Sequence, residues 1–198
     1  DFATMIMKLK IRIPATTANL GSGLDCLGLA LDWWNSIDVE TIDRGLHIEV
    51  DCHEDVKIPR DRNNLVVYGM HALFRVARQK RPPCRVRIST RIPIARGLGS
   101  SSAAIVGGLV AANALLGNMY SRDELVTVAT RLEGHPDNVA PALLGGLMVA
   151  AMEGDHVTVA RFPVPRELRC VLFVPDHTLL TKKARGVLPN RVPRTDAV

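Results

Sequence analysis

The chain contains 198 residues, which is enough for one domain or at most two small ones. Hydrophobic residues make up 47% of it and charged residues 23%, and these proportions exclude a disordered, collagen-like or coiled-coil protein. Lys and Arg outnumber Asp and Glu by 25 to 20, so the net charge is +5. This excess favours an anionic partner, either a nucleotide, a nucleic acid or a membrane surface, or it reflects an ordinary solvated face.

Several features narrow the class of partner. Basic residues are densest between Arg75 and Arg96, but no aromatic residue lies between Phe74 and Tyr120, so stacking of single-stranded nucleic acid is poorly supported. The four cysteines form no CxxC pair, which favours a reducing compartment over a zinc site or a redox motif. No apolar run reaches the ~18 residues needed to cross a bilayer. We therefore expect a cytoplasmic protein that binds neither nucleic acid nor membrane.

The first half of the chain predicts three strands. Apolar and charged residues alternate over residues 8–13, which predicts a half-exposed strand ended by a proline. The small, hydroxyl and glycine residues of 15–25 then predict a loop that can approach a ligand closely. Two further strands are predicted over 37–42 and 46–52, and the turn-forming residues 43–45 between them indicate a hairpin.

Three helices are predicted from apolar spacing and capping residues. The first runs from Asn63 or Asn64, either of which can act as N-cap, to Gln79. The second, over 100–116, is apolar on all sides and should be buried. The third begins with the capping box at 121–124.

The remaining elements complete the predicted fold. Strands are expected over residues 85–89, 147–152, 157–162 and 168–174, and a short helix over 182–188. Half-exposed strands combined with long apolar helices predict a two-layer α+β fold, in which the strands are mixed or mostly antiparallel.

The segment from Pro93 to Ala104, PIARGLGSSSAA, lies between a predicted strand and the buried helix. Its glycines let the backbone come close to a ligand, and the free N–H groups of the helix end attract negative charge. Its serines add hydroxyls for phosphate oxygens or a metal ion. The pattern is neither GxxxxGK[ST] nor GxGxxG. Taken alone, it predicts a phosphate cradle or an ordinary helix N-terminus about equally.

A second polar segment lies just before the apolar residues 139–144. Glu133, His135, Asp137 and Asn138 fall within six residues. Glu133 could hold Mg²⁺ through its hard oxygens, and Asp137 could accept or orient a hydroxyl. His135 and Asn138 could position a substrate. Any one of them alone is more often structural, for example a helix cap, but together they favour one site.

Four segments resemble the GHMP kinases. Residues 93–104 are similar to the PxxxGLGSSAA phosphate loop of that family. Residues 14–31, the segment EGHPDNVAPALLGG over 133–146, and residues 181–189 are similar to sequences typical of the homoserine kinase branch. The resemblance implies ATP-dependent phosphorylation of L-homoserine to O-phospho-L-homoserine, on the route to threonine. It implies ATP and Mg²⁺ as cofactors and a small-molecule partner, and it leaves a homodimer open.

The same resemblance implies roles for individual residues. The ATP-binding residues would be Asn64 or Asn63 at the adenine, and Pro93, Arg96, Gly97, Leu98, Gly99, Ser100, Ser101 and Ser102 at the phosphates. Mg²⁺ would be bound by Glu133 and Ser101, with Ser100 as the alternative hydroxyl. The catalytic residues would be Asp137, Asn138 and Glu133, and Asp137 would orient the hydroxyl first and accept its proton second. The substrate would be bound by Asn19, Asp25, His135, Asp137, Asn138 and Arg185, with Asp25 at its ammonium and Arg185 at its carboxylate.

The resemblance also implies a domain plan. Residues 1–165 would form a GHMP kinase N-terminal domain of the ribosomal protein S5 domain 2 type, and 166–198 would begin a ferredoxin-like C-terminal domain that is mostly missing. We therefore expect this chain alone to turn over weakly or not at all. The rival hypotheses are a GHMP kinase of another alcohol, such as a mevalonate-type substrate, a basic nucleic-acid-binding module, and a kinase remnant that binds ATP without turnover.

Overall fold

The computed structural model describes residues 6–176 and the single residues 186, 191, 193 and 195. Six strands and four helices lie within this described part. In chain order they are β1 (Lys8–Ala18), β2 (Leu27–Thr41), β3 (Leu46–Cys52), α1 (Leu65–Val76), β4 (Cys84–Thr90), α2 (Ser100–Leu115), α3 (Arg122–Glu133), α4 (Val139–Leu144), β5 (Leu147–Glu153) and β6 (His156–Phe162).

The strands form one sheet around the long strand β2. Strand β1 pairs along its length with one edge of β2. The other edge of β2 pairs with two strands: the first residues of β2 pair with β5, and the last residues of β2 pair with β4. Strand β6 extends the sheet from β5, and β3 extends it from β4. Only the β3–β4 pair is parallel among the described strands. The predicted α+β fold with mostly antiparallel strands is confirmed.

The core lies between this sheet and the helices. Helix α2 packs against α1, α3, α4 and β1, so it is covered on most sides and its apolar composition follows from that position. Residues such as Val106, Leu109 and Ala112 are almost completely removed from water. The three long helices predicted from the sequence are confirmed, including Asn64 as the N-cap of α1 and the capping box of α3.

The first strand is longer than predicted. Pro14 does not end it, because β1 continues to Ala18 with a shift of register between Pro14 and Ala15. A proline lacks a backbone N–H, and an edge strand or a bulge is where a sheet tolerates that loss. The predicted loop over 15–25 is therefore wrong for its first four residues, and the turn region is confined to residues 19–26.

The predicted hairpin between β2 and β3 is also wrong. Strand β4 lies between them, antiparallel to β2 and parallel to β3. The short connection crosses the end of β4, where Ile42 N donates to Pro83 O and Cys84 N donates to Gly45 O. Opposite charges match this order, because Arg85 of β4 pairs with Glu40 of β2 on one side and with Glu49 of β3 on the other.

Two later predictions have different outcomes. The strand predicted over 168–174 is wrong, because this segment pairs with no described strand and Val171 and Phe173 are each 92% exposed. Apolar composition alone does not make a strand where no neighbouring edge accepts its hydrogen bonds. The helix predicted over 182–188 lies outside the described residues. Across residues 6–176, none of the helices has the length and apolar character required to traverse a bilayer.

The capping box of α3 gives a stability prediction. Ser121 Oγ accepts from Glu124 N, and Glu124 Oε2 accepts from Ser121 N at 2.7 Å. The backbone and hydroxyl of Ser121 lower the pKa of the Glu124 carboxyl. We expect Ser121→Ala to lower the free energy of unfolding by about 1 kcal/mol at neutral pH, and Ser121→Thr to lower it less.

The pH dependence of this effect has a defined sign. A carboxyl with a lowered pKa stabilises the fold above its unfolded pKa, and that contribution is lost as the pH falls through the folded pKa. Ser121→Ala keeps the backbone bond to Glu124 and loses the bond from the hydroxyl, so the part of the difference that comes from the hydroxyl bond to the carboxylate should disappear in acid. Urea unfolding at neutral and acidic pH measures it, and a difference that grows in acid would contradict the assignment.

Candidate active site

A cavity of about 510 Å³ opens at the N-terminus of α2. It is bounded by the loop that precedes α2, by the first turn of α2, by residues 56–59 and by the start of α1. Among the predicted site residues, those that line it are Asn19, Asn64, Arg96, Gly97, Leu98, Gly99, Ser100, Ser101, Ser102, Glu133, His135 and Asn138. Asn19 and Asn138, which are 119 residues apart in sequence, therefore meet at one opening.

The loop before α2 has the geometry of an anion cradle. Gly99 is the N-cap of α2 with φ +64°, and no side chain caps the helix. The first N–H groups of a helix have no partner within it, and they lie at the positive end of the helix dipole. Gly97, with φ +72°, has open space around its Cα, so a ligand can approach the backbone there.

Two residues of this loop that were predicted to bind ATP, Pro93 and Leu98, instead pack against the domain. Pro93 is buried and does not line the cavity. Leu98 borders the cavity, but its side chain is 5% exposed and packs in the hydrophobic core. Both residues therefore hold the loop against the domain. Arg96 borders the cavity, and its Nη1 lies 3.2 Å from Oε1 of Glu54, a partner that the sequence did not indicate.

The hydroxyls of the first helical turn meet the carboxylate of Glu133. Ser101 Oγ donates to Glu133 Oε1 at 2.5 Å, and Ser102 Oγ donates to the same oxygen at 2.9 Å. Glu133 is the last residue of α3, so the packing of α3 against α2 brings it there. An exposed serine hydroxyl beside a carboxylate is a set of hard oxygen donors, which fits Mg²⁺. Ser100 makes no such contact with Glu133, which favours Ser101 over Ser100.

Asp137 is the most buried charged residue of the site, with 1% of its surface exposed. Its Oδ1 contacts His135 Nδ1 and accepts from Asn138 N at 2.8 Å and from Asn138 Nδ2 at 3.3 Å. Its Oδ2 is buried and has no hydrogen-bond partner among the described residues. A buried carboxylate oxygen without a donor is costly, so this atom is suited to receive a hydrogen bond from a bound hydroxyl.

The turn between β1 and β2 brings two predicted residues to this cluster. Asn19 and Asp25 both have positive φ, and Asn19 Oδ1 accepts from Asp25 N at 2.8 Å. Ligand atoms of Asp25, His135 and Asp137 all lie within 4.8 Å of one another. The two acidic groups can therefore face a single cationic group, such as a substrate ammonium.

Thr16 is a site residue that the sequence analysis missed. It is fully buried in β1, where Thr16 N donates to Leu98 O at 3.2 Å and Thr16 Oγ1 donates to Asn138 Oδ1 at 2.7 Å. It thereby connects the loop before α2 to the segment that carries Asp137. The sequence showed Thr16 only as one hydroxyl residue in a segment predicted to be a loop. Its role follows from its position in β1, next to Leu98 and Asn138.

The two candidate adenine residues differ in position. Asn64 lines the cavity, whereas Asn63 lies outside it. The Asn64 side chain is already bonded, since Oδ1 accepts from Val66 N at 3.0 Å and Nδ2 donates to Pro59 O at 2.8 Å. Asn64 therefore fixes the wall formed by residues 56–59. The predicted substrate residue Arg185 lies outside the described residues.

Comparison with known proteins agrees with this geometry. Residues 64–146 match the family model described as GHMP kinases N terminal domain. These residues therefore belong to the GHMP kinase N-terminal domain family, and the described residues carry its fold.

Its relatives indicate a branch of that family. The chain is 46% identical over 188 residues to the homoserine kinase of Carboxydothermus hydrogenoformans, and 42% identical over 190 residues to that of Caldicellulosiruptor saccharolyticus. These alignments cover 95% and 96% of this chain but only 62% and 61% of the relatives, so the chain spans about three fifths of their length.

Solved structures of GHMP kinases share the fold of this chain. The crystal structure of homoserine kinase from Cytophaga hutchinsonii is 29% identical with a TM-score of 0.83, and the match covers 100% of this chain and 65% of that one. A mevalonate kinase from Methanococcus jannaschii, at 14% identity and a TM-score of 0.62, shares the fold over 80% of this chain and 56% of its own.

Proposed function

We propose that the chain is the nucleotide-binding part of an ATP-dependent kinase that phosphorylates the hydroxyl of L-homoserine to O-phospho-L-homoserine, in threonine biosynthesis. The observation that carries the proposal is the meeting of two groups at one opening. The uncapped end of α2 with Ser101 and Glu133 lines the same cavity as His135 and Asn138, which both contact the buried Asp137 carboxylate. The similarity to homoserine kinases supports the choice of substrate.

The phosphates of ATP are assigned to the loop and first turn over 97–102. Phosphoryl transfer requires mainly alignment and neutralisation of charge on the phosphate oxygens. The free N–H groups of the uncapped helix supply partial positive charge that does not have to reorganise during the reaction. Gly97 supports this assignment because nothing obstructs the approach to its backbone.

Mg²⁺ is assigned to Ser101 and Glu133, whose oxygens already lie together. When bound, the ion neutralises charge on the phosphates. The role of the protein here is to hold the carboxylate in place, and Ser102 does so through its hydrogen bond to Glu133 Oε1.

Asp137 is assigned first to orienting the acceptor hydroxyl and second to accepting its proton. Its Oδ1 is engaged by His135 and Asn138, whereas its buried Oδ2 has no partner among the described residues and would accept the hydrogen bond of the acceptor hydroxyl. Bonds from neighbouring groups fix the carboxylate, so the substrate oxygen would be aligned without further ordering of the side chain.

The rest of the substrate is assigned to the neighbouring polar groups. Asp25 faces the same region as Asp137 and is suited to the ammonium, while Asn19 fixes the Asp25 backbone through its amide oxygen. Arg185 remains the proposed partner of the carboxylate. An amino-acid substrate offers an ammonium to these two carboxylates and a mevalonate-type substrate does not, which argues for an amino acid.

The rival hypothesis of a nucleic-acid-binding module receives less support. Arginines 85, 87, 91 and 96 of the basic stretch each pair with a carboxylate of a neighbouring segment. These pairs reduce the charge that this part of the stretch offers to a phosphate backbone.

We keep three further proposals. Residues 1–165 form the ATP-binding domain and 166–198 lead into the second, and the end of β6 at Phe162 supports that boundary. The relatives continue beyond the part of their length that this chain spans, and we expect that further part to close one side of the cleft. The four free cysteines support a cytoplasmic location.

The test measures ADP release with Mg-ATP and L-homoserine, using the longest natural reading frame that contains this chain. Mevalonate and a reaction without acceptor are the controls. We expect release that depends on homoserine and that falls by about 10³-fold or more in Glu133→Ala and in Asp137→Ala. ATP binding without any homoserine-dependent release would contradict the substrate assignment.

A further inference from the structure

We propose that Glu54 is a positioning residue of the nucleotide cavity, which holds the loop before α2 in its binding conformation by bracing Ala95 from both sides. This inference rests on the proposed binding of ATP at that loop. Glu54 follows β3 and lies outside every motif that resembles the family.

The bracing is made by one carboxylate. Glu54 Oε2 accepts a hydrogen bond from Ile94 N at 2.8 Å, and Glu54 Oε1 lies 3.2 Å from Arg96 Nη1. The residues just before and just after Ala95 are therefore tied to the same side chain. The side chains of Glu54 and Arg96 are 15% and 17% exposed, so water competes only weakly for these bonds.

Ala95 is the residue that needs this support. Its φ is +55°, in the left-handed region that residues with a Cβ rarely adopt. Without the two bonds, the peptide units around Ala95 would be free to relax towards negative φ. Gly97 and Gly99 follow within four residues, so such a relaxation would displace the backbone that receives the phosphates.

Electrostatics alone predicts the opposite effect of removing Glu54. A carboxylate near the loop repels a triphosphate, and it also occupies Arg96, which otherwise could pair with a phosphate oxygen. Loss of the charge by itself should therefore tighten the binding of ATP. The sign of the change separates positioning from simple charge.

The experiment is titration calorimetry of Mg-ATP with the longest natural reading frame that contains the chain. We expect Glu54→Ala to weaken binding about tenfold, because the left-handed conformation of one alanine costs about as much as a tenfold change in an equilibrium constant. Glycine adopts positive φ freely. The double variant Glu54→Ala with Ala95→Gly should therefore recover most of the affinity, to within about threefold of the wild type.

Asp51→Asn is the matched control. It removes another carboxylate of the same region, which pairs with Arg91 at 2.5 Å and does not touch the loop. It should leave the affinity unchanged. If Glu54→Ala folds poorly, Glu54→Gln serves instead, and it should weaken binding less because an amide oxygen can still accept from Ile94 N.

Hydrogen exchange of the Ile94 amide is a second readout, and it is expected to accelerate in Glu54→Ala but not in Asp51→Asn. Tighter or unchanged binding in Glu54→Ala, or no recovery in the double variant, would overturn the inference while leaving the proposed function intact. A wild-type protein that does not bind Mg-ATP would overturn both, so the two failures are distinguishable.

Discussion

Gly99→Ala should weaken the binding of Mg-ATP by roughly a hundredfold and lower the free energy of unfolding by about 2–4 kcal/mol. A Cβ at this position would lie 1.9 Å from Thr16 Oγ1 and 3.0 Å from Asn138 Oδ1. Neither neighbour can move freely, because Thr16 is fully buried and hydrogen-bonded to Asn138. The backbone of the loop must therefore shift, and the shift displaces the first N–H groups of α2.

Two costs contribute to the effect of Gly99→Ala: the positive φ, which alanine adopts poorly, and the clash of the new Cβ with Thr16. A substitution of Gly117 separates them. Gly117, just after α2, has φ +74° and open space around its Cα. Gly117→Ala therefore bears the same conformational cost of positive φ without a clash, at the far end of the same helix. We expect it to lose stability but to keep its affinity for Mg-ATP. Equal affinities in both variants, measured by calorimetry, would show that the close approach of Gly99 to Thr16 does not matter for binding.

Local signals in the sequence predicted most of the elements. The Asn64 cap, the capping box at Ser121 and the apolar spacing of the helices depend on residues within one or two turns, and their geometry follows from chemistry at that range. The strands β3, β4, β5 and β6 were predicted for the same reason, because alternation of polarity is a property of a few adjacent residues.

Pairing and strand ends could not be predicted in this way. The order β3–β4–β2 depends on contacts between residues far apart in sequence, such as Glu40 and Arg85, which are 45 positions apart. A short connection of turn-forming residues between two strands is equally compatible with a hairpin and with a step across a third strand. The continuation of β1 beyond Pro14 depends on the long partner β2, which the sequence showed only in part.

The residues of the candidate site also differ in whether the local sequence could predict them. The residues Gly99, Ser101, Glu133 and Asp137 belong to contiguous motifs and could be named from the sequence. Thr16 and Glu54 act through partners 122 and 40 residues away, so no local pattern marks them. Their roles became visible only when the fold placed a hydroxyl or a carboxylate next to the loop.

Gly28→Ala should lower kcat for homoserine-dependent ADP release by about a hundredfold per folded molecule. Gly28 lies in β2, and a Cβ there would meet the backbone oxygen of Asp137 at 1.8 Å and Pro141 Cγ at 3.0 Å. The neighbouring atom is backbone, so the clash cannot be relieved by a rotamer change. The segment that carries Asp137 must move, and a displacement of about 1 Å is enough to misalign an acceptor hydroxyl.

A loss of activity in Gly28→Ala could also arise from poor folding, and Gly69→Ala tests that explanation. A Cβ at Gly69 in α1 would lie 2.3 Å from Ile105 O of α2, a clash of similar kind at the helix contact. Both variants should be less stable in urea. Only Gly28→Ala should lose turnover once rates are divided by the folded fraction, because Gly28 contacts the segment that carries Asp137. A loss of kcat of the same size in Gly69→Ala would assign the effect to stability rather than to the position of Asp137.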